Sequence, residues 1–132
     1  MSRFLEELIR RQATGHCEYC RVPEAYLKFQ HVLDHIIARK HGGATELGNL
    51  ALCCVACNQH KGSNLSGIDP QTSAIIPLFN PRRERWDEHF RYEGAILIGL
   101  TSTGRATVAA LSINIPRRII ARRALLKEGA VF

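Results

Sequence analysis

Two short stretches, Cys17-Glu18-Tyr19-Cys20 and Cys54-Val55-Ala56-Cys57, decide how this chain folds. Each is a Cys-x-x-Cys knuckle, a spacing that lets two thiolates grip one tetrahedral ion from a tight turn or a helix start. Two knuckles in one chain predict a single zinc site with Cys17, Cys20, Cys54 and Cys57 as its ligands. A closed set of four thiolates leaves no open position for water, so the expected zinc is structural and contributes folding energy. The competing reading, buried free cysteines or a redox pair, requires two knuckles to coincide by chance. Cys53 is expected to be a small core residue, because adjacent side chains on an extended segment point opposite ways.

Working outward, residues 21–53 separate the knuckles, more than a simple zinc ribbon needs but enough for an inserted hairpin. The second half of Leu27–Ile37 reads as a strand, Ala38–Gly48 as a polar connection containing Gly42-Gly43, and Asn49–Cys53 as the return strand. Val55 to Lys61 suits a short helix stopped by Gly62. Upstream, Phe4, Leu5, Leu8 and Ile9 share a helical face, with Gly15 as the stop. Downstream, residues 63–81 hold Pro70, Pro77 and Pro81 and read as an irregular connector. Gly94–Leu100 looks like a strand and Thr103–Leu111 a short helix. A last helix is expected from Asn114-Ile115-Pro116, with asparagine as cap and proline in the first turn, to Gly129. The predicted class is α+β, with a core unit over residues 1–67 and an extension over 68–132 packed on it.

The chain has 132 residues, 45% of them hydrophobic, enough for one compact unit whose modest core a bound metal would reinforce. Its net charge of +6 favours a polyanionic partner without proving one. No apolar run is long enough to cross a bilayer, and Glu6 and Glu7 interrupt the start where a secretory signal would be apolar, so the expected location is cytoplasmic, without a membrane partner. That compartment is reducing, which again favours metal ligation over disulfides.

Taken together, Cys17-Glu18-Tyr19-Cys20, Asp34-His35-Ile36-Ile37, Gly42-Gly43, Asn49-Leu50, Cys54-Val55-Ala56-Cys57-Asn58 and Lys61-Gly62 resemble the zinc-bearing subgroup of the HNH endonuclease family in residue type, order and spacing. The resemblance spans about residues 15–63 and implies a ββα-metal core. It implies His35 as general base, Asn49 as the residue that pins the loop orienting it, and Asp34 with Asn58 as holders of one catalytic divalent cation, magnesium or a similar ion. It also implies hydrolysis of nucleic acid, double-stranded DNA first, leaving 5′ phosphate and 3′ hydroxyl ends.

Each implied role makes chemical sense. An imidazole takes a proton from water near neutrality once a neighbour fixes its tautomer. A carboxylate and an amide oxygen suit a hard cation and leave positions for water and phosphate, and such an ion neutralises a developing phosphorane. Lys61 lies three residues from Asn58 on the same helical face and is expected beside a phosphate. Arg39, Lys40 and His41 lie close to the site and offer further phosphate contacts, against the commoner reading of a solvated basic loop. One tension remains: on a regular strand Asp34 and His35 face opposite ways, so the strand must bend or end there. Ala38 stands where the family often has proline, which alters loop stiffness more than chemistry.

His16, His31, His60 and His89 carry no motif. The stretches Leu78-Phe79-Asn80-Pro81-Arg82, Trp86-Asp87-Glu88-His89-Phe90 and Gly99-Leu100-Thr101-Ser102-Thr103-Gly104-Arg105-Ala106-Thr107 are similar to an extension on some bacterial members. Phe79, Trp86, Phe90 and Leu100 should enlarge the core. Arg117, Arg118, Arg122 and Arg123 place charge on one broad face of the last helix, for a polyanion or for solvent. Two alternatives compete with catalysis: a zinc module that binds nucleic acid without cutting it, and a protein-binding adaptor. The residues leave oligomeric state open.

Overall fold

The computed structural model describes residues 2–132. Helix α1 (Arg3–Ala13) starts where the Ser2 hydroxyl accepts from the Leu5 amide, and ends where Thr14 turns left-handed ahead of Gly15. It packs on the return strand through Ile9 and Ala13, with Leu50 and Leu52 opposite, while Phe4 stays exposed. Strand β1 (Val32–His35) pairs antiparallel with β2 (Leu50–Cys53), Val32 opposite Cys53 and His35 opposite Leu50. The connection holds two tight turns, Arg39–His41 and Leu47–Asn49, so Asn49 closes the loop rather than starting the strand. Helix α2 (Val55–Lys61) follows with the Cys54 sulfur as its cap, and Gly62 ends it. The strand-loop-strand-helix order predicted from the residues is therefore present.

The connector is a correction. Residues 66–77 form a second hairpin, β3 (Ser66–Ile68) against β4 (Ile75–Pro77), and the boundary expected after residue 67 falls inside β3. Asp69 organises its turn, accepting from the Gln71 amide and the Thr72 hydroxyl, and Arg105 grips both its oxygens at 2.9 Å. Each strand has only three residues and β4 ends on proline, too little for a period-two pattern to register.

After α3 (Trp86–His89) comes a third hairpin, β5 (Phe90–Glu93) with β6 (Ile96–Gly99), whose first strand was not foreseen. Helix α4 (Ser102–Ala110) then packs against β3, β4 and β6. This packing needs glycine: a Cβ on Gly104 would lie 2.1 Å from the His89 carbonyl oxygen, and one on Gly99 2.4 Å from the Arg105 nitrogen. Helix α5 (Pro116–Lys127) has Pro116 in its first turn as expected, but Ile115 at the cap. Asn114 instead exchanges two hydrogen bonds with the Leu97 backbone, extending the edge of β6.

One apolar cluster runs from Tyr19 through Ile36 and Ala51 to Phe79, Phe90 and Ile113, so both halves share a core. Phe79 and Phe90 meet edge to face with centroids 5.2 Å apart. Trp86 is partly buried beside them and Leu100 is exposed, so three of the four expected aromatic and leucine anchors contribute. Among the described residues, no helix is long and apolar enough to cross a membrane.

Candidate metal centre and hydrolytic site

The four knuckle cysteines are buried and their sulfurs all lie within 4.8 Å of one another. The Cys20 and Cys54 sulfurs are 3.7 Å apart, close to the edge of about 3.8 Å of a tetrahedron built on Zn–S bonds of about 2.3 Å. The chain itself pre-orients them: the Cys20 amide points at the Cys17 sulfur and the Cys57 amide at that of Cys54. Burial alone would raise Cys17, yet hydrogen bonds from its neighbours, Cys20 first, bring it well below the ordinary thiol range and push Cys20 and Cys57 well above it. Four buried sulfurs converging on one point are the donor set of structural zinc. Cys53 is buried on β2, outside the tetrad.

At the end of β1 the two neighbouring site residues separate. Asp34 is 4% exposed, whereas His35, the last residue of the strand, is partly exposed. Asp34 accepts from the Tyr19 hydroxyl at 2.8 Å and forms an ion pair with Lys61 at 3.1 Å. Burial pushes its carboxyl above the usual value, with Lys61 and Tyr19 pulling the other way. Lys61 is itself only 1% exposed and also donates to the carbonyls of His35 and Ile36 at 3.2 Å. Its ammonium therefore faces Asp34 and the backbone, not the solvent where a phosphate was expected.

His35 Nε2 lies 2.8 Å from the Thr45 hydroxyl. Asn49 makes three bonds across the loop: its Oδ1 accepts from the Ile37 amide at 2.8 Å, and its Nδ2 donates to the carbonyls of Ile37 and Ala44 at 3.0 and 2.9 Å. Gly43 permits that closure, because a Cβ there would sit 1.7 Å from the Ile37 carbonyl oxygen. Asn58 lies on α2, partly buried, and its side-chain amide has no hydrogen-bond partner among the described residues. Arg39 and Lys40 are exposed on the tight turn, and His41 Nε2 donates to the Ser63 carbonyl at 3.1 Å.

Several contributors were invisible in the chain's motifs. Tyr19 and Thr45 meet Asp34 and His35 only after the hairpin closes. From the extension, Arg82 pairs with Glu18 and reaches the Leu50 carbonyl, Trp86 donates to the Tyr19 carbonyl at 2.8 Å, and Tyr92 donates to that of Cys20. Arg21 stacks over Trp86 at 4.6 Å. Arg118 donates to the Cys57 sulfur at 3.0 Å, and Arg122, 3% exposed, donates to the carbonyls of Ala95 and Ile113 and to Asn114. The basic face expected on α5 is thus divided: Arg118 and Arg122 turn inward, Arg117 and Arg123 outward. His31 is buried, bonded through Nε2 to the Val22 carbonyl at 2.8 Å.

Comparison with family models matches residues 17–64 to HNH endonuclease, a segment that runs from the first knuckle cysteine to just past α2. Searches of curated proteins and of solved structures return no match. Over that stretch the chain is similar to HNH endonuclease, and the sulfur tetrad lies within it.

Proposed function

We propose, from the premise that residues 17–64 are an HNH segment, that this protein is a metal-dependent endonuclease that hydrolyses phosphodiester bonds, with double-stranded DNA as the expected substrate. The observation that carries this reading is the end of β1: a partly exposed imidazole, tethered by Thr45, beside a loop tied down by the three bonds of Asn49. If Nε2 donates to the Thr45 hydroxyl, Nδ1 is left as the proton acceptor, and it has no partner among the described residues. His35 then takes the proton of a water positioned for attack at phosphorus. Asn49 acts through the loop, as a positioning residue, by holding residues 37 and 44 in place.

Asp34 and Asn58 are the residues that would hold a divalent cation such as Mg²⁺, which when bound supplies charge neutralisation at the phosphate and the departing 3′ oxygen. The donor types fit: the Asn58 amide is unpartnered, and a carboxylate with about four acceptor positions is not exhausted by Tyr19 and Lys61. Arg39, Lys40 and His41 are the exposed groups placed to meet neighbouring phosphates, a role Lys61 does not share.

Incubation of supercoiled plasmid with the zinc-loaded protein and Mg²⁺, with and without chelator, tests the reading. His35→Ala should nick roughly 10²–10⁴-fold more slowly; equal nicking by both proteins would overturn the assignment. A second reading, a zinc module that binds nucleic acid without cutting it, is favoured by one observation, the buried Lys61–Asp34 pair that already neutralises the carboxylate. It predicts salt-sensitive binding and no Mg²⁺-dependent product.

A further inference from the structure

We propose that Arg118 is part of the zinc site, the cation that offsets the surplus negative charge of four thiolates, and that docking of α5 and retention of the metal are therefore linked. The guanidinium reaches across the fold from the far end of the chain to two of the four ligands, 3.0 Å from the Cys57 sulfur and 3.8 Å from that of Cys54, and its other nitrogen donates to the Leu111 carbonyl at 2.7 Å. Those two sulfurs come from the second knuckle, where a backbone amide serves Cys54.

Charge explains why an arginine stands there. Four thiolates around one divalent ion carry more negative charge than the metal cancels, in a place water does not reach. A guanidinium donating to the sulfurs spreads that charge and lowers the tendency of a thiolate to leave by taking a proton or an electrophile. The dependence runs both ways. A contact that strengthens zinc binding must by linkage be strengthened by zinc to the same degree.

The rest of the extension closes on the other knuckle in the same manner, with Arg82 on Glu18, Trp86 on the Tyr19 carbonyl and Tyr92 on the Cys20 carbonyl. Residues 82, 86, 92 and 118 lie outside the matched HNH segment, yet each grips a knuckle or its flank. The extension thereby acts as a clasp on the metal centre. The proposal rests on the zinc site and not on catalysis, so a protein that holds zinc but nicks nothing leaves it standing.

The test compares zinc-loaded wild type with Arg118→Gln, Arg118→Lys and, as control, Arg117→Gln, the exposed neighbour on the same helix. Zinc transfer to a chromogenic chelator reads metal affinity, and Co²⁺-substituted protein reads the thiolate-to-metal charge-transfer band. Arg118→Gln is expected to bind zinc about 10–100-fold more weakly and to shift the cobalt band while keeping a four-sulfur spectrum. Arg118→Lys, which keeps the charge but not the fork, should fall between. Should the glutamine variant not fold with zinc bound, the lysine variant carries the comparison alone. Zinc affinity and cobalt band of the folded Arg118 variants indistinguishable from Arg117→Gln would overturn the proposal.

Discussion

The sulfur tetrad and the end of β1 both lie within residues 17–64 and bury charge in opposite ways. At the tetrad, four sulfurs close around one centre, and the surrounding chain adds backbone amides and the Arg118 guanidinium. Nothing there is left open for a reactant. At the end of β1, a single carboxylate is balanced by a single ammonium, while His35 keeps one ring nitrogen without a partner among the described residues. A saturated site makes scaffold, and an unsaturated one makes chemistry; the difference lies in how many valences the fold itself consumes.

The sharpest way to break this contrast is to remove the zinc. Structural zinc contributes apparent binding energies of about 10–16 kcal/mol, as large as the whole net stability of about 5–15 kcal/mol typical of a domain. A strong chelator, or Cys54→Ala, should therefore abolish the cooperative thermal transition by circular dichroism. A transition retained after stoichiometric zinc loss would mean that the apolar core alone suffices.

Next in size is the Lys61–Asp34 pair. Lys61→Met leaves a buried carboxylate without its cation and should cost about 3–5 kcal/mol in urea unfolding. The double variant with Asp34→Asn should recover part of that loss, because both charges are then gone. A strictly additive double variant would show that the two side chains do not interact in solution.

A smaller effect is expected from Asn49→Ala. Three bonds to the loop disappear, and at a net value of about 0.5–1.5 kcal/mol each the loss should reach a few kcal/mol at most. Amide exchange of residues 37–44 should accelerate while that of α2 stays protected. Uniform acceleration would place Asn49 in the global scaffold rather than in the loop alone.

The least is expected at Asp69 and Arg105, whose side chains bond to each other and to the turn after β3. The bidentate guanidinium, followed by the Gln71 amide and the Thr72 hydroxyl, holds the Asp69 carboxyl well below the usual carboxylate range. Because its folded-state pKa lies below the unfolded one, its contribution is present above about pH 4 and is lost as pH falls toward the folded value. Arg105→Ala should flatten the acid side of the melting-temperature profile below about pH 4, the ordinary carboxylate pKa. An unchanged acid slope would remove Asp69 from that account.

Much of the core was legible because its signals are local. Two knuckles specify one ion, Cys54 and Gly62 bracket α2 to the residue, and Gly42-Gly43 marks the hairpin connection. The misreadings share a cause. Lys61 looks like a solvent-facing helix residue, and only the packing of α2 on β1 turns its ammonium onto Asp34. Asn114 before proline reads as a cap, but β6 lies close enough to take its amide instead. Arg118 and Arg122 read as surface charge, because nothing in a five-residue spacing tells which arginines will find a sulfur or a carbonyl. The hairpin at residues 66–77 was hidden by its length and held by a partner, Arg105, far along the chain.

The residues by themselves determined the metal, its ligands and the order of elements around it, since ligand softness and knuckle spacing are properties of short segments. Tertiary structure alone decided which charges are buried, which cation answers each, and that the extension closes on the two knuckles. Those depend on contacts between distant segments, whose energies exist only once water has been excluded from between them.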